Sequence, residues 1–303
     1  ILIGGKEGCG KTTFALHLAD EVQRLGGRVR YEDAEFKLDR GYARSIVKHD
    51  PDLLVVGHTP YIERGVSKIR KFCLTLEKHR EATGNPDAPG LIIVDSVTAW
   101  PSKIEYNAGD EDVTMARQAA ALASAMRVLA RYCYDHRIII LWLSQIRGKI
   151  GRVFGHGKDT AYTSGWAIRF YSTIIASMRR VELIKEGSRW KGAVTELYTE
   201  KNQVFTPYLK AQAYIGFGVG FDLIGTMMES AIQFKLVSYK GGFLSFTDPK
   251  SGNMVKIRKK DFRLKYGSRG PIWLREAIAE KMASNVLPTM LSDDDKEQDD
   301  DDD

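Results

Sequence analysis

Five residues near the start of the chain have the types and spacing of a phosphate-binding loop. The segment GKEGCGKT fits the pattern G-x-x-x-x-G-K-[ST], with Gly5, Gly10, Lys11 and Thr12 at the required positions and Gly8 between the two glycines. Such glycines let backbone N–H groups converge on phosphate oxygens, while the lysine reaches the β- and γ-phosphates and the threonine hydroxyl ligates Mg²⁺. The segment therefore predicts a nucleotide site, although it does not say what work the nucleotide drives.

The predicted elements around this loop are a short strand before it and a helix over 12–25 after it. Further apolar runs read as buried strands that alternate with amphipathic helices. This alternation predicts an α/β fold, a P-loop NTPase core with a mostly parallel sheet flanked by helices on both faces. The strands are expected at 1–3, 28–31, 91–96 and 138–145, and the further helices at 66–80 and 115–136.

Three polar side chains follow these predicted strands. Glu35, Asp95 and Gln145 should meet beside the phosphate loop, because ligands of parallel sheets bind at the carboxyl ends of the strands. Asp95 suits the acid that steadies Mg²⁺ through water, Glu35 can deprotonate an attacking water, and Gln145 can donate to the γ-phosphate. The alternatives are a strand-end acid that caps the next turn for Asp95, and a surface carboxylate for Glu35.

Composition limits the class of protein further. The chain has 303 residues, of which 43% are hydrophobic, and no apolar run approaches the roughly 20 residues of a membrane helix. The lack of such a run predicts no membrane partner. Three widely spaced cysteines make neither a disulfide framework nor a set of metal ligands, which favours a reducing cytoplasm. The sequence begins with Ile directly on a predicted strand, so we expect that an N-terminal segment is missing. No internal repeat is evident.

The charge is distributed unevenly along the chain. The net charge is +6, but the end segment DDDKEQDDDDD carries −8 through nine acids and one lysine, so the rest carries +14. A basic body with an acidic, disordered tail is common among nucleic-acid binders whose tail competes with the polyanion. A tail that only improves solubility is the alternative.

A basic, glycine-rich segment begins directly after Gln145. It reads IRGKIGRVFGHGKDT, has no acid before Asp159, and has too little pattern for a regular amphipathic element. Basic groups that neutralise phosphates, with apolar side chains between bases, are the means by which proteins bind single strands. The alternative is a surface loop without a special role. The candidate DNA contacts are Arg147, Lys149, Ile150, Arg152, Phe154 and Lys158.

Four motifs, in this order along the chain, resemble the RecA family of strand-exchange recombinases, including its phage members. They are GKEGCGKTT, YEDAEFKLDRGYARS, LIIVDSVTAW, and LSQIRGKIG with FGHGKDT. The resemblance spans residues 1–222. It implies an ATP- and Mg²⁺-dependent recombination and DNA repair protein that polymerises on single-stranded DNA, with ATP between protomers. Homologous pairing with double-stranded DNA, strand exchange and DNA-stimulated ATP hydrolysis would follow.

The same resemblance implies roles for individual residues of the ATP site. Glu35 becomes the water-activating base, Asp95 the strand-end acid, and Gln145 the sensor that couples ATP to DNA. Lys201 matches one of two lysines that reach the ATP of a neighbouring subunit, but the second position is Gln203 here, so one charge is missing. The implied nucleotide contacts are Gly5, Gly8, Gly10, Lys11, Thr12, Thr13, Asp39, Tyr42, Asp95 and Lys201. Asp39 and Tyr42 match positions that contact adenine, and core packing at a helix start is the alternative for Tyr42.

The resemblance also implies two DNA-binding loops. The first lies at about 101–118, where Met115 matches an apolar residue that touches bases, and Arg127 on the next helix matches a DNA contact. A helix-surface arginine is the alternative for Arg127. The second loop lies at about 146–165 and ends at Ser164-Gly165, where the family has two glycines.

Beyond 222 the resemblance weakens. Residues 223–291 predict a small α/β domain with a helix, short strands around Gly241-Gly242 and Gly252, and a helix near 272–284, and 292–303 form the acidic tail. The domain carries a basic run, Lys256, Arg258, Lys259, Lys260, Arg263 and Lys265. By position it resembles the family's C-terminal domain, which helps capture duplex DNA, and a solvated charged face is the alternative.

Two rival functions stay open. A hexameric motor of the same core fold, such as a replicative helicase, predicts closed rings and strand unwinding, and the basic glycine-rich segment speaks against it. A non-hydrolysing mediator that binds nucleotide and partner proteins requires that Glu35 be idle and that the 146–158 segment contact protein.

Overall fold

The protein is described by a computed structural model that covers residues 1–50, 54–108, 115–148, 160–162, 165–249, 251–267 and 270–284. It divides into two compact units, Ile1–Phe221 and Asp222–Asp303. The predicted loop residues Lys149, Ile150, Arg152, Phe154 and Lys158, and the acidic tail, lie outside the described residues. Within the described residues, no helix is both long and apolar enough to cross a membrane.

A single sheet organises the first unit, and within the described residues it has ten strands. The strand order is β10-β9-β8-β7-β1-β5-β4-β2-β3, and β6 pairs with β5 beyond this path. Neighbours from β7 to β3 run parallel, whereas β8, β9, β10 and β6 pair antiparallel. The strands are β1 Leu2–Gly5, β2 Arg28–Asp33, β3 Leu54–Gly57, β4 Gly90–Asp95, β5 Ile138–Gly148, β6 Thr160–Tyr162, β7 Ile174–Glu186, β8 Arg189–Asn202, β9 Lys210–Gly216 and β10 Gly220–Phe221.

Helices cover both faces of this sheet. One apolar core joins the sheet to α1 and α2, and the other joins it to α3, α5 and α6. The helices are α1 Lys11–Arg24, α2 Arg40–Ile46, α3 Ile62–Thr83, α4 Lys103–Asn107, α5 Met115–His136 and α6 Gly165–Tyr171. A short 3₁₀ turn at Val97–Ala99 follows β4. The fold is therefore the α/β class with a mostly parallel, helix-flanked sheet that the sequence predicts.

The continuous apolar runs are explained by burial on both sides of the sheet. In β4, Leu91 and Ile93 pack into the core under α1, while Ile92 and Val94 pack into the core under α3 and α5. Successive side chains of a strand point to opposite faces, so a strand covered twice needs apolar residues at every position. The polar residues of these strands accordingly appear at their ends.

The helices predicted at 12–25, 66–80 and 115–136 correspond to α1, α3 and α5, of which α3 begins four residues earlier and ends three later than predicted. Two features of the sheet differ from the prediction. The strand expected at 138–145 continues to Gly148 and pairs there with β6, so the predicted DNA segment begins on a two-stranded ribbon. The edge strand β3 and the strands β7 to β10 were not predicted, because β3 is short and only part of β7 and of β8 is buried.

The second unit has its own apolar core. Its three-stranded sheet has the order β11-β12-β13, and Leu244, Phe246 and Phe262 are buried where helices pack against it. The elements are α7 Leu223–Gln233, β11 Ser238–Lys240, β12 Phe243–Thr247, β13 Met254–Arg258, α8 Lys259–Tyr266 and α9 Ile272–Ser284.

Candidate nucleotide-binding site

The glycine-rich loop connects β1 to α1 with backbone geometry that side chains disfavour. Gly8 and Gly10 have φ values of 69° and 97°, in the left-handed region, and Gly10 caps the amino end of α1. A Cβ at Gly10 would lie 2.3 Å from Cδ1 of Ile215, and one at Gly5 would lie 2.5 Å from Sγ of Cys9. The loop therefore needs glycine at these positions to close around a helix N-terminus, the part of a helix that attracts anions.

Lys11 lies across the loop. Its ammonium group donates hydrogen bonds of 3.0 Å to the carbonyl oxygens of both Gly5 and Lys6, and its side chain is mostly buried. On the sheet side, the hydroxyl of Thr195 in β8 donates to the carbonyl oxygen of Cys9 at 2.7 Å. These bonds hold the loop from inside and from a neighbouring strand, so its N–H groups are oriented in advance.

Asp95, at the end of β4, contacts the first turn of α1. Its Oδ2 accepts hydrogen bonds from Thr12 Oγ1 at 2.7 Å and from the hydroxyl of Tyr31 at 2.5 Å. Burial raises the pKa of Asp95 and the Glu35 charge adds to this, while the two hydrogen bonds and Lys11 oppose it. The ionised carboxylate therefore carries a free-energy cost in the fold that a nearby cation would relieve.

The pair of Thr12 and Asp95 suits Mg²⁺ that arrives with a phosphate chain. Mg²⁺ keeps several waters and takes one or two protein oxygens besides substrate phosphates, so it needs no complete protein cage. Among the described residues, no group of three His, Cys, Asp or Glu side chains could hold a metal ion. Thr12 would supply a direct oxygen ligand and Asp95 would orient the metal-bound waters, as the sequence predicts.

Glu35 and Gln145 lie together on the other side of the loop. Glu35 Oε1 accepts hydrogen bonds from Ser96 Oγ at 2.6 Å and from Gln145 Nε2 at 3.1 Å, while Oε2 lies 3.3 Å from Nζ of Lys37. Partial burial alone would raise the pKa of Glu35, but the bonds from Ser96, Lys37 and Gln145 together lower it below its usual value. The carboxylate is thus kept ionised, which is the form that a base requires.

Tyr42 and Thr13 link α2 to α1 at the edge of the site. Their hydroxyl groups share a hydrogen bond of 2.7 Å, and the Asp39 carboxylate caps α2 by accepting from the N–H of Tyr42 at 2.6 Å. In this chain Asp39 orients the helix that carries Tyr42. A ring fixed in this way can stack on a base.

A cavity of about 440 Å³ brings most of the predicted residues together. It is lined by Gly8, Gly10, Lys11, Thr12, Thr13, Glu35, Tyr42, Asp95 and Gln145. Gly5 and Asp39 do not line the cavity. The carbonyl oxygen of Gly5 accepts from the Lys11 ammonium group, and the carboxylate of Asp39 accepts from the N–H of Tyr42. The volume and the polar lining suit a nucleotide-sized ligand.

Several lining residues were not found by sequence reasoning. Lys37 follows Glu35 by two positions, and Thr195, Ile215 and Phe217 come from β8, β9 and the turn after β9. The Phe217 ring is half exposed beside the cavity. The last three lie about 180 residues or more from the loop and belong to no motif, so no spacing rule indicates them. Lys37 could have been found, because it follows a predicted catalytic acid.

Lys201 lies away from this chain's own loop. It pairs in the sheet with Ile175, which pairs with Leu2 at the amino end of β1, whereas the phosphate loop follows Gly5 at the carboxyl end. Its ammonium group donates to the carbonyl oxygen of Phe170 at 3.2 Å. A contact of Lys201 with the nucleotide of a neighbouring copy stays a prediction.

The predicted DNA contacts are described only in part. Arg127 is exposed on α5, which is compatible both with a DNA contact and with a plain surface arginine. For Met115 at the start of α5, Arg147 on β5 and Gly165 at the start of α6, the structure describes the backbone. The ribbon is described more fully, with Arg147 paired to Ala161 and Gly148 paired to Thr160. The 149–159 segment thus lies in the sequence between two paired strands, the first of which contains Gln145.

The second unit presents a basic and aromatic surface. Lys256 and Arg258 on β13 are exposed and lie 5.0 and 5.5 Å from the centre of the Phe243 ring. Two other members of the basic run are paired with acids, Lys259 with Glu229 and Arg263 with Asp222. A cation beside a ring can bind a phosphate and leave the ring to contact a base or sugar.

This fold and this loop place the chain in the class of P-loop NTPases. The family description "RecA N-terminal domain" matches residues 1–222. The chain is 35% identical over 246 residues to Protein RecA of Petrotoga mobilis, which is 81% of this chain and 63% of that protein. It is 31% identical over 252 residues to Protein RecA of Geobacter metallireducens (83% and 70%), and 33% identical over 258 residues to Protein RecA of Limosilactobacillus reuteri (85% and 67%).

The chain belongs to the RecA family. The family match covers nearly the whole first unit, and the curated relatives agree with it at 31 to 35% identity. The chain spans 63 to 70% of the length of these three relatives. The resemblance predicted from the four motifs is therefore confirmed.

Proposed function

We propose that the protein is an ATP-dependent recombinase of homologous recombination and DNA repair. It polymerises on single-stranded DNA with ATP and Mg²⁺ between protomers, pairs the coated strand with homologous duplex DNA, exchanges strands and hydrolyses ATP when DNA is bound. Family membership and a nucleotide-sized cavity with Lys11, Glu35 and Asp95 support this proposal. Free Cys9, Cys73 and Cys133 are consistent with action in the cytoplasm.

The chain's own residues divide the work of hydrolysis. The loop N–H groups and Lys11 hold the phosphates in line for attack, and Thr12 and Asp95 hold the metal-binding corner of the cavity. When Mg²⁺ is bound, it would neutralise negative charge on the β- and γ-phosphates. Glu35, ionised through its hydrogen bonds, takes a proton from the attacking water. Each role uses a side chain that lines the same cavity.

The observation that carries the recombinase proposal is the position of Gln145. Its amide contacts the predicted base Glu35 at 3.1 Å, and three residues later the same strand ends, paired with β6, directly before residues 149–159 in the sequence. A change at Gln145 when the γ-phosphate arrives is transmitted along one hydrogen-bonded strand. Nucleotide state thereby controls the affinity for DNA, and DNA controls the geometry of Glu35.

The basic and aromatic surface of the second unit suits a secondary role in duplex capture. Its cations Lys256 and Arg258 are exposed and are not among the paired members of the basic run. We propose that the acidic tail competes with DNA for such basic surfaces, because both are polyanions. Removing residues 292–303 should then strengthen duplex binding at low salt.

The test is ATP hydrolysis by the intact protein with and without single-stranded DNA. Stimulation by DNA that is lost in the double variant Arg147→Ala/Lys149→Ala, with basal hydrolysis kept, supports the proposal. The matched control is Arg70→Ala/Lys71→Ala, which removes two exposed cations from α3. Lys11→Ala should abolish turnover, and normal DNA-stimulated hydrolysis by that variant would refute the assignment.

Two other outcomes would favour the rival functions. Closed rings in electron microscopy with strand unwinding would favour a hexameric motor. Bound nucleotide without turnover, in a folded protein, would favour a non-hydrolysing mediator.

A further inference from the structure

Lys37 is a cation of the cavity to which the motifs assign no role. Among the described residues that line the cavity, Lys11 and Lys37 are the two cations, whereas Glu7, Asp33, Glu35 and Asp95 are acids. A triphosphate brings about four negative charges, and charged phosphate oxygens are best satisfied by cationic donors. Lys11 is already assigned to the phosphates, so Lys37 is the second cation of the cavity available to the phosphate chain.

The backbone of Lys37 is held in place, although its side chain is 69% exposed. The buried carboxylate of Asp33 accepts from the N–H groups of Lys37 at 3.3 Å and Leu38 at 3.0 Å. Phe36, between Glu35 and Lys37, has φ of 56°, a left-handed conformation that is uncommon outside glycine. This turn brings the ammonium group of Lys37 to Glu35 while leaving the side chain free to change partner.

Lys37 contacts the oxygen of Glu35 that has capacity left. Oε1 already accepts from Ser96 and Gln145, whereas the contact of Oε2 among the described residues is Nζ of Lys37, at 3.3 Å. A base must offer an oxygen to the attacking water, and a water positioned by Glu35 lies beside the γ-phosphate. The ammonium group of Lys37 therefore contacts the same carboxylate that would position the attacking water beside the terminal phosphate.

We propose that Lys37 is a γ-phosphate ligand that makes the site distinguish ATP from ADP. This inference rests on the proposed function. ATP binding moves the Lys37 ammonium group from Glu35 Oε2 to a γ-phosphate oxygen. Oε2 is then free to accept a hydrogen bond from the attacking water. ADP lacks the γ-phosphate, so with ADP bound the Lys37–Glu35 pair persists. The exchange links recognition of the third phosphate to release of the base.

The experiment measures equilibrium binding, so it needs no turnover. Mg²⁺ complexes of ADP and of the imido analogue of ATP are titrated into the intact protein and into Lys37→Met. The variant should bind the analogue about three- to tenfold more weakly, the range expected for one partly exposed charged hydrogen bond, with the Kd for ADP unchanged. Lys37→Arg should restore most of the preference. Lys78→Met, which removes an exposed cation from α3, is the matched control and should change neither Kd.

The outcomes separate this inference from the function on which it rests. Equal weakening of both ligands in Lys37→Met would mean that Lys37 only supports the fold, and no change in either would mean a plain surface lysine. Both results overturn the inference and leave the nucleotide site intact. Failure of the unchanged protein to bind either nucleotide would overturn the proposed function as well.

Discussion

Replacing Gly10 with alanine places a methyl group at a point of the phosphate loop where it meets another strand. Gly10 has φ of 97° and ψ of 17°, and a Cβ there would lie 2.3 Å from Cδ1 of Ile215, 3.9 Å from its Cγ1 and 4.0 Å from Sδ of Met178. The first distance is too short for any Cβ contact, so the end of the Ile215 side chain must move, and the other two distances are ordinary contacts. The damage therefore comes from backbone strain and one steric clash.

The size of the effect can be worked out from these two terms. A left-handed backbone costs a non-glycine residue about 1–2 kcal/mol. Moving the end of the Ile215 side chain adds about 1–3 kcal/mol, the usual cost of overpacking. Loss of glycine freedom in the unfolded chain offsets about 0.4–1 kcal/mol. The free energy of unfolding should therefore fall by about 1–5 kcal/mol, with a central value of about 3 kcal/mol.

A double-variant cycle separates the two terms. Ile215→Val removes Cδ1, the atom that clashes, and by itself costs about 0.5–1.5 kcal/mol. In Gly10→Ala/Ile215→Val the clash is absent, so the loss should be about 1 kcal/mol smaller than the sum of the single losses. Urea unfolding, followed by circular dichroism, measures the free energy of unfolding. Titration with ADP measures the affinity of the phosphate loop for nucleotide, which should fall in Gly10→Ala and partly recover in the double variant.

Two results would refute this reasoning. An unfolding free energy for Gly10→Ala within about 0.5 kcal/mol of the unchanged protein would show that the loop tolerates a side chain at this position. If the losses of unfolding free energy in the two single variants simply add in the double variant, then the side chain of Ile215 does not clash with a methyl group at position 10.

Three further changes test the carboxylates and their partners. Tyr31→Phe removes the hydroxyl that donates to Asp95 but keeps the buried ring, so the free energy of unfolding should fall by about 1–2 kcal/mol in urea unfolding. Asp95→Asn should raise the melting temperature at pH 7 without nucleotide or Mg²⁺, because burial raises the pKa of Asp95 and makes its ionised form costly. Gln145→Ala should abolish stimulation of hydrolysis by single-stranded DNA, because it removes the link between Glu35 and β5.

Each of these changes has its own control. Tyr134→Phe, at a tyrosine that is 83% exposed, should alter stability by less than about 0.5 kcal/mol, and equal losses in both tyrosine variants would contradict the role of Tyr31. The gain in Asp95→Asn should vanish as the pH falls below the ordinary range of Asp, where both side chains are neutral, and a gain independent of pH would have another cause. Gln145→Ala should keep its affinity for ADP, which lacks the γ-phosphate, and stimulation by DNA that survives the change would place the coupling elsewhere.

Local sequence determined much of the nucleotide site. The loop from Gly5 to Thr12 could be predicted because phosphate binding needs glycines, a lysine and a hydroxyl at fixed intervals on one turn. Asp95 and Gln145 could be predicted because strands buried on both faces are apolar until they end, and parallel strands end at the same edge. Periodicity likewise predicted α3 and α5, whose buried residues recur at helical intervals.

The tertiary structure decided which residues close the site from outside the motifs. Ile215, Phe217 and Thr195 reach the loop because β8 and β9 fold back antiparallel beside β7 and β1, a pairing that no local spacing encodes. The same holds for Tyr31, which reaches Asp95 from the adjacent strand β2, and for Lys37, whose contact with Glu35 depends on the left-handed turn at Phe36. Sequence alone indicated the loop residues that are predicted to contact phosphate, because their spacing is local. The fold determined the groups that orient them, because strand pairing brings together residues that are distant along the chain.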